Sequence, residues 1–114
     1  MISAINSAQS GISAGLKRQE VSANNVANIS TEGFKKDTVV QNEGSTGGVV
    51  VQIEKSTIPG PQLPEADGSL IEGSNVDLAE EAVNQSIAAT TFGASLAALE
   101  ATQQAEKSII DLFV

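Results

Sequence analysis

From Ile2 to Ile29 apolar residues return at helical spacing. Ile5, Ala8, Ile12, Leu16, Ala23 and Val26 fall on one stripe, about 80° wide at roughly 100° per residue, which predicts an amphipathic helix. Gln19 interrupts that stripe, and Gly11 and Gly15 each cost the helix about 0.5–1 kcal/mol relative to alanine. Such a helix is marginal alone and frays unless a partner helix covers its face. Helical spacing stops within Ser22–Lys36. Asn24, Asn25 and Asn28 carry amides that compete for backbone groups and favour helix ends. Gly33 supplies a turn, after which Phe34 can fold back onto the helix it has left.

Between 34 and 73 the pattern changes to short β-branched runs. Thr38-Val39-Val40 and Val49-Val50-Val51-Gln52-Ile53 flank a loop from Asn42 to Gly48 that is rich in glycine, which predicts a hairpin. Pro59, Pro61 and Pro64 then impose an extended connector, and Asp67-Gly68-Ser69 marks a further turn.

A second helix is predicted from the Ser74-Asn75-Val76-Asp77 entry, where Asn75 or Asp77 can cap free amides and Asp77, Glu80 and Glu81 suit the positive end of the dipole. No proline follows. At 1.5 Å per residue the helix would run roughly 55 Å. Its wheel carries two apolar stripes. Val76, Val83, Ile87, Ala94, Ala98, Ala101, Ala105, Ile109 and Leu112 alternate by threes and fours, as a helix seam does. This stripe is expected to pack against Ile5, Ile12 and Leu16 of the first helix. Leu78, Phe92, Leu96, Leu99, Ile110 and Phe113 lie nearly opposite, a face that an independent monomer does not leave open. Leu96, Leu99, Ile110 and Phe113 are therefore expected to meet another molecule.

The expected fold is mainly α: two long terminal helices in an antiparallel, coiled-coil-like pair, with a short hairpin and a Pro/Gly-rich connector between them. Three segments follow: 1–33, 34–73 and 74–114.

Composition narrows the chemistry. The chain has 114 residues, three phenylalanines as its only aromatics, no cysteine and no histidine. Disulfides and thiolate or imidazole metal sites are thereby excluded, and only a thin core can form at this size. A net charge of −8 disfavours nucleic-acid backbones and anionic membranes as partners. No apolar run approaches the roughly 20 residues of a membrane span, so no membrane insertion is expected. The start lacks the charged, apolar and small-residue regions of a cleaved secretory signal. Glu65, Asp67 and Glu72 cluster without the ligand spacing of a calcium loop and read as a solvated acidic turn. No cofactor is expected. Glu80 and Glu81 are adjacent and diverge on a helix, and no serine lies in a nucleophile motif, so the inventory argues against an enzyme.

Asn24, Asn25, Ala27, Asn28, Thr31, Gly33, Phe34 and Lys35, with Ala8-Gln9-Ser10-Gly11-Ile12 upstream, give the chain a resemblance to the bacterial flagellar rod, hook and hook-associated family. Ala23 and Val26 depart mildly from that signature. At the other end Ser74, Asn75, Val76, Asp77, Leu78, Glu81 and Asn84 resemble the family's entry into its last helix. Downstream, Phe92 and Ala94 fit while the family's polar Gln, Arg and Asn are absent from 89–95. The resemblance implies a non-enzymatic subunit of the flagellar basal-body rod that polymerises through its terminal helices and transmits torque. It implies contacts with itself, with other axial proteins and with the flagellar export apparatus, and export without a cleaved signal. The small central insert points to the proximal-rod type. A soluble coiled-coil adaptor or export chaperone is the alternative that amphipathic helices also allow.

Overall fold

A computed structural model describes residues 2–113, so positions 1 and 114 of the first and last segments lie outside the described residues. The order is α1 (Ile2–Ala27), β1 (Asp37–Glu43), β2 (Val49–Lys55), β3 (Gln62–Pro64), β4 (Leu70–Glu72) and α2 (Leu78–Phe113). The two helices run antiparallel. Gly11 faces Ser95, Gly15 faces Phe92 and Ala88, and Ser22 and Asn25 reach Glu81. The molecule is a rod of 79 × 24 × 14 Å with a radius of gyration of 20.0 Å, against about 13 Å for a compact chain of this length.

β1 and β2 form an antiparallel hairpin with Val39 opposite Ile53 and Glu43 opposite Val49. Its turn depends on Gly47 and Gly48, both at positive φ (85° and 84°), a region glycine enters without Cβ strain. The hairpin lies on α1: the Val49 N–H donates to Ser10 Oγ at 3.0 Å, while Ser13, Lys17, Val21 and Asn24 line the clefts beneath the strands. The connector contains a second, shorter hairpin, β3–β4, closed by the Glu65–Ser69 turn. Proline and turn signals alone did not foretell it, because three-residue strands carry no alternating pattern to read.

The line along which α2 meets α1 is not the one expected from the bulky apolar residues. Contact runs mainly through small and polar side chains, Ala8, Gly11, Gly15, Ser22 and Asn25 on α1 against Glu81, Ala88 and Ser95 on α2, with Phe92 as the one large residue among them. Leu16 and Val83 are each 57% exposed, Ile87 is exposed, and Ala94, Ala98, Ala101 and Ala105 face solvent. Ile5 and Ile12 are half-buried at the edge of the contact. Close approach explains the displacement: a Cβ on Gly15 would lie 3.2 Å from Phe92 Cβ and 3.3 Å from the Ala88 carbonyl oxygen. Backbones that near cannot accommodate isoleucine or leucine between them. At roughly 100° per residue, the alanine stripe of α2 sits about 115° away from the contact line.

Candidate functional site

Few apolar side chains are fully enclosed. Ala8, Ala14, Val21 and Ala88 are the buried hydrophobic residues among those described, whereas the largest fully buried side chains are Glu81, Asn25 and Ser22. Those three form a polar junction where α1, the base of the hairpin and the start of α2 converge.

Asn25 is 1% exposed. Its Oδ1 accepts from the Asp37 N–H at 2.9 Å, and its Nδ2 donates to the Asp37 carbonyl at 2.8 Å and to Glu81 Oε1 at 2.8 Å. The carboxamide thus pairs with both backbone groups of one residue as a neighbouring strand would, fixing the first residue of β1 to the last turns of α1. Ser22 Oγ adds a bond to the Glu81 carbonyl at 3.2 Å. Glu81 is 2% exposed. Its Oε2 has no partner and borders a cavity of about 100 Å³ shared with Arg18, Asp37, Glu80 and Asn84.

Asn75 does the equivalent work from the loop between β4 and α2. It accepts from the Lys36 N–H at 2.7 Å, donates to Ser56 Oγ and the Ile58 carbonyl, and gives its own N–H to the Phe34 carbonyl. Consecutive residues 36 and 37 are therefore gripped by two asparagines, one from each of the two runs picked out in the sequence. Asp77 is the N-cap of α2, its Oδ1 accepting from Ala79 and Glu80, which closes amides that would otherwise lack partners. Lys36 reaches Glu80 at 2.5 Å.

The turn after α1 is ordered by its own motif residues. Asn28 Nδ2 donates to the Asn24 carbonyl, Thr31 Oγ1 to Asn28 Oδ1, and Gly33 at φ 64° gives its N–H to the Glu72 carbonyl at 2.7 Å. Phe34 is half-buried with the Lys55 ammonium 5.7 Å from its ring centroid. Lys35 pairs with Glu72, which also accepts from the Gly60 N–H. These contacts hold the Glu72 carboxyl below its ordinary value, the Lys35 hydrogen bond first and the Gly60 N–H next. Ser74 is buried with Oγ accepting from Val76, itself half-buried; Leu78 is exposed.

The remaining expected site residues divide. Leu96, Ile110 and Phe113 are exposed. Leu99 and Phe92 are half-buried and lie on the α1-facing side of α2, so the second stripe touches the helix pair at these two positions. Leu16, Gln19, Gln85, Ala89 and Phe92 border an open groove of about 490 Å³ over Gly15. The groove brings the apolar residues of α1 and the second stripe of α2 to one side of the pair, away from the hairpin. Sequence reading missed Ser22 and the burial of Glu81. The signal that would have found them is small or polar residues at heptad spacing: 81, 88, 95 and 102 on α2, and 8, 15 and 22 on α1.

Apart from Glu81 Oε2, the polar groups of the junction bond one another and the backbone. Among the described residues no cluster of three or more acidic side chains can hold a metal ion, and no helix is long and apolar enough to cross a membrane. Fold and junction define an elongated helix-pair protein whose motif residues serve architecture. Residues 5–35, covering most of α1 and the turn built by Asn28, Thr31 and Gly33, match the family described as flagella basal body rod protein. The match is confined to this N-terminal stretch, so it is this part of the chain that is similar to the family. No curated protein matches the chain.

Proposed function

We propose that this protein is a structural subunit of the bacterial flagellar basal-body rod, of the proximal-rod type, which polymerises through its terminal helices and passes torque through the packed interfaces. Its partners are other copies and other axial proteins, and the flagellar export apparatus delivers it without cleaving a signal. One observation carries the reading most directly. The segment that matches the rod family also contains Asn25, whose carboxamide ties α1 to the start of β1 and to Glu81 of α2. A rod element needs such a joint and needs no catalytic group. The small insert, two short hairpins between the helices, supports the proximal type.

The test is fractionation. An epitope-tagged chain should co-purify with detergent-extracted basal bodies, and deletion of residues 2–20 should abolish its incorporation. Recovery of the full chain only in soluble complexes with export components would replace the rod reading with that of an adaptor or export chaperone.

A further inference from the structure

Around the junction each lysine has an acidic neighbour. Lys36 pairs with Glu80 at 2.5 Å, Lys35 with Glu72 and Lys17 with Glu20, while Lys55 stands 3.9 Å from Asp37, beyond hydrogen-bond range. Glu81 has no such neighbour. Its side chain is enclosed, its Oε1 is taken by Asn25, and its Oε2 meets no donor. That oxygen faces the cavity of about 100 Å³ beneath β1, whose wall also carries Asp37 and Asn84. The Asn84 carboxamide is half-buried and makes no hydrogen bond among the described residues.

Arg18 lines the same cavity but gives Oε2 no bond. Glu81 lies opposite Ser22 and Asn25, on the C-terminal side of Arg18 along α1. Long helical side chains lean toward the helix N-terminus, so the Arg18 stem carries its guanidinium away from that oxygen.

An enclosed carboxylate oxygen without a donor is costly, and the group that removes the cost brings hydrogens and positive charge. A primary ammonium fits the inventory. It is a compact cation with three donors, set here against three acceptors: Glu81 Oε2, the Asp37 carboxylate and the Asn84 carbonyl oxygen. A guanidinium prefers both oxygens of a carboxylate, and Asn25 already holds one. A hard metal ion takes roughly six to eight oxygens, and among the described residues no cluster of three acidic side chains can hold one. Size agrees as well. A water-sized group occupies about 30 Å³, so the cavity has room for an ammonium head and the carbon that carries it.

We infer that this cavity is a binding site for one primary ammonium group, from a small free amine or from a lysine side chain of another protein, with Glu81 Oε2 as its principal acceptor. Arg18, Asp37 and Asn84 are half-buried and leave it reachable from solvent. An ammonium held there bridges α2 to the first residue of β1, so occupancy stabilises the junction. The site is independent of the rod role.

The purified full chain is titrated with methylammonium chloride to about 0.1 M, since a ligand of two heavy atoms is limited to millimolar affinity. Potassium chloride and tetramethylammonium chloride supply the same ionic strength and charge without N–H donors. Backbone amides of Asp37, Glu81 and Asn84 should shift saturably in heteronuclear magnetic resonance spectra, with Kd in the millimolar range, and the urea midpoint should rise. Neither control salt should do this. Glu81→Gln, folded and with an unchanged or higher midpoint in the absence of amine, should bind at least about tenfold more weakly. Nα-acetyllysine amide separates the two sources: tighter binding than methylammonium with the same amides shifting assigns the site to lysine side chains, and weaker binding assigns it to free amines. No saturable shift with either amine, an equal response to potassium or tetramethylammonium, or wild-type affinity in Glu81→Gln each overturns the inference.

Discussion

Replacing Asn25 by alanine tests whether the polar junction holds the fold together. The substitution removes two bonds to the Asp37 backbone and one to the Glu81 carboxyl. Net contributions run about 0.5–1.5 kcal/mol for each neutral bond and about 1.5–3 kcal/mol where one partner is charged. Glu81 would then be enclosed with neither carboxyl oxygen bonded, since Oε2 already lacks a donor. A loss of about 3–5 kcal/mol follows, a large share of the roughly 5–15 kcal/mol that stabilises an ordinary domain. In urea melts followed at 222 nm, a slope of about 1–3 kcal/mol/M turns this into a midpoint lowered by at least about 1 M. Loss of amide-exchange protection should begin at Asp37 and spread along β1 before α2 is affected. A melt within about 0.5 kcal/mol of wild type would show that water replaces the carboxamide without penalty and would refute the reasoning.

Other outcomes follow from the same contacts. Glu81→Gln keeps the acceptor that Asn25 uses and removes a carboxylate oxygen with no donor, so its urea midpoint should be unchanged or higher; a clear fall would mean an unseen donor holds Oε2. Gly15→Val inserts side-chain atoms where only 3.2–3.3 Å separates the position from Phe92 and Ala88, and should lower stability by about 1–3 kcal/mol in the same melts. Gly60→Ala would place a methyl group against the Gly73 carbonyl and should release the β3–β4 hairpin, seen as faster amide exchange at Glu72 and Gly73. Glu72 has a carboxyl value lowered in the fold from the ordinary 4.5 by Lys35 and Gly60. The charged form is favoured on folding, so its contribution is fully present above about pH 4.5 and disappears as pH falls through the lowered value. Exchange at the Gly60 amide should accelerate across that window beyond its intrinsic pH trend, and Glu72→Gln should remove the effect.

Much of the architecture is legible in the sequence because each element carries its own local signal. Helical spacing gives α1 and α2, the glycine-rich loop between valine runs gives the first hairpin, and the Asp77 cap marks where α2 begins. The line of helix pairing does not follow the bulky apolar stripes. Here the helices approach so closely that glycine, serine and alanine define the seam, and leucine and isoleucine are displaced to its flanks. That inversion depends on the distance between two backbones, which no periodicity within one helix reveals. The asparagines were legible as helix-end residues. Their bonds to Asp37, Lys36 and Glu81 were not, since these join residues 12, 39 and 56 positions apart.

Cross-linking in assembled basal bodies tests the rod role most directly. The chain has no cysteine, so a single Ala98→Cys substitution offers one reactive group on the exposed alanine ridge. Treatment of isolated basal bodies with a short thiol-to-amine cross-linker should yield covalent adducts containing this chain and axial rod components, itself among them. A chain absent from the basal bodies, or one joined only to soluble export components, would contradict the account.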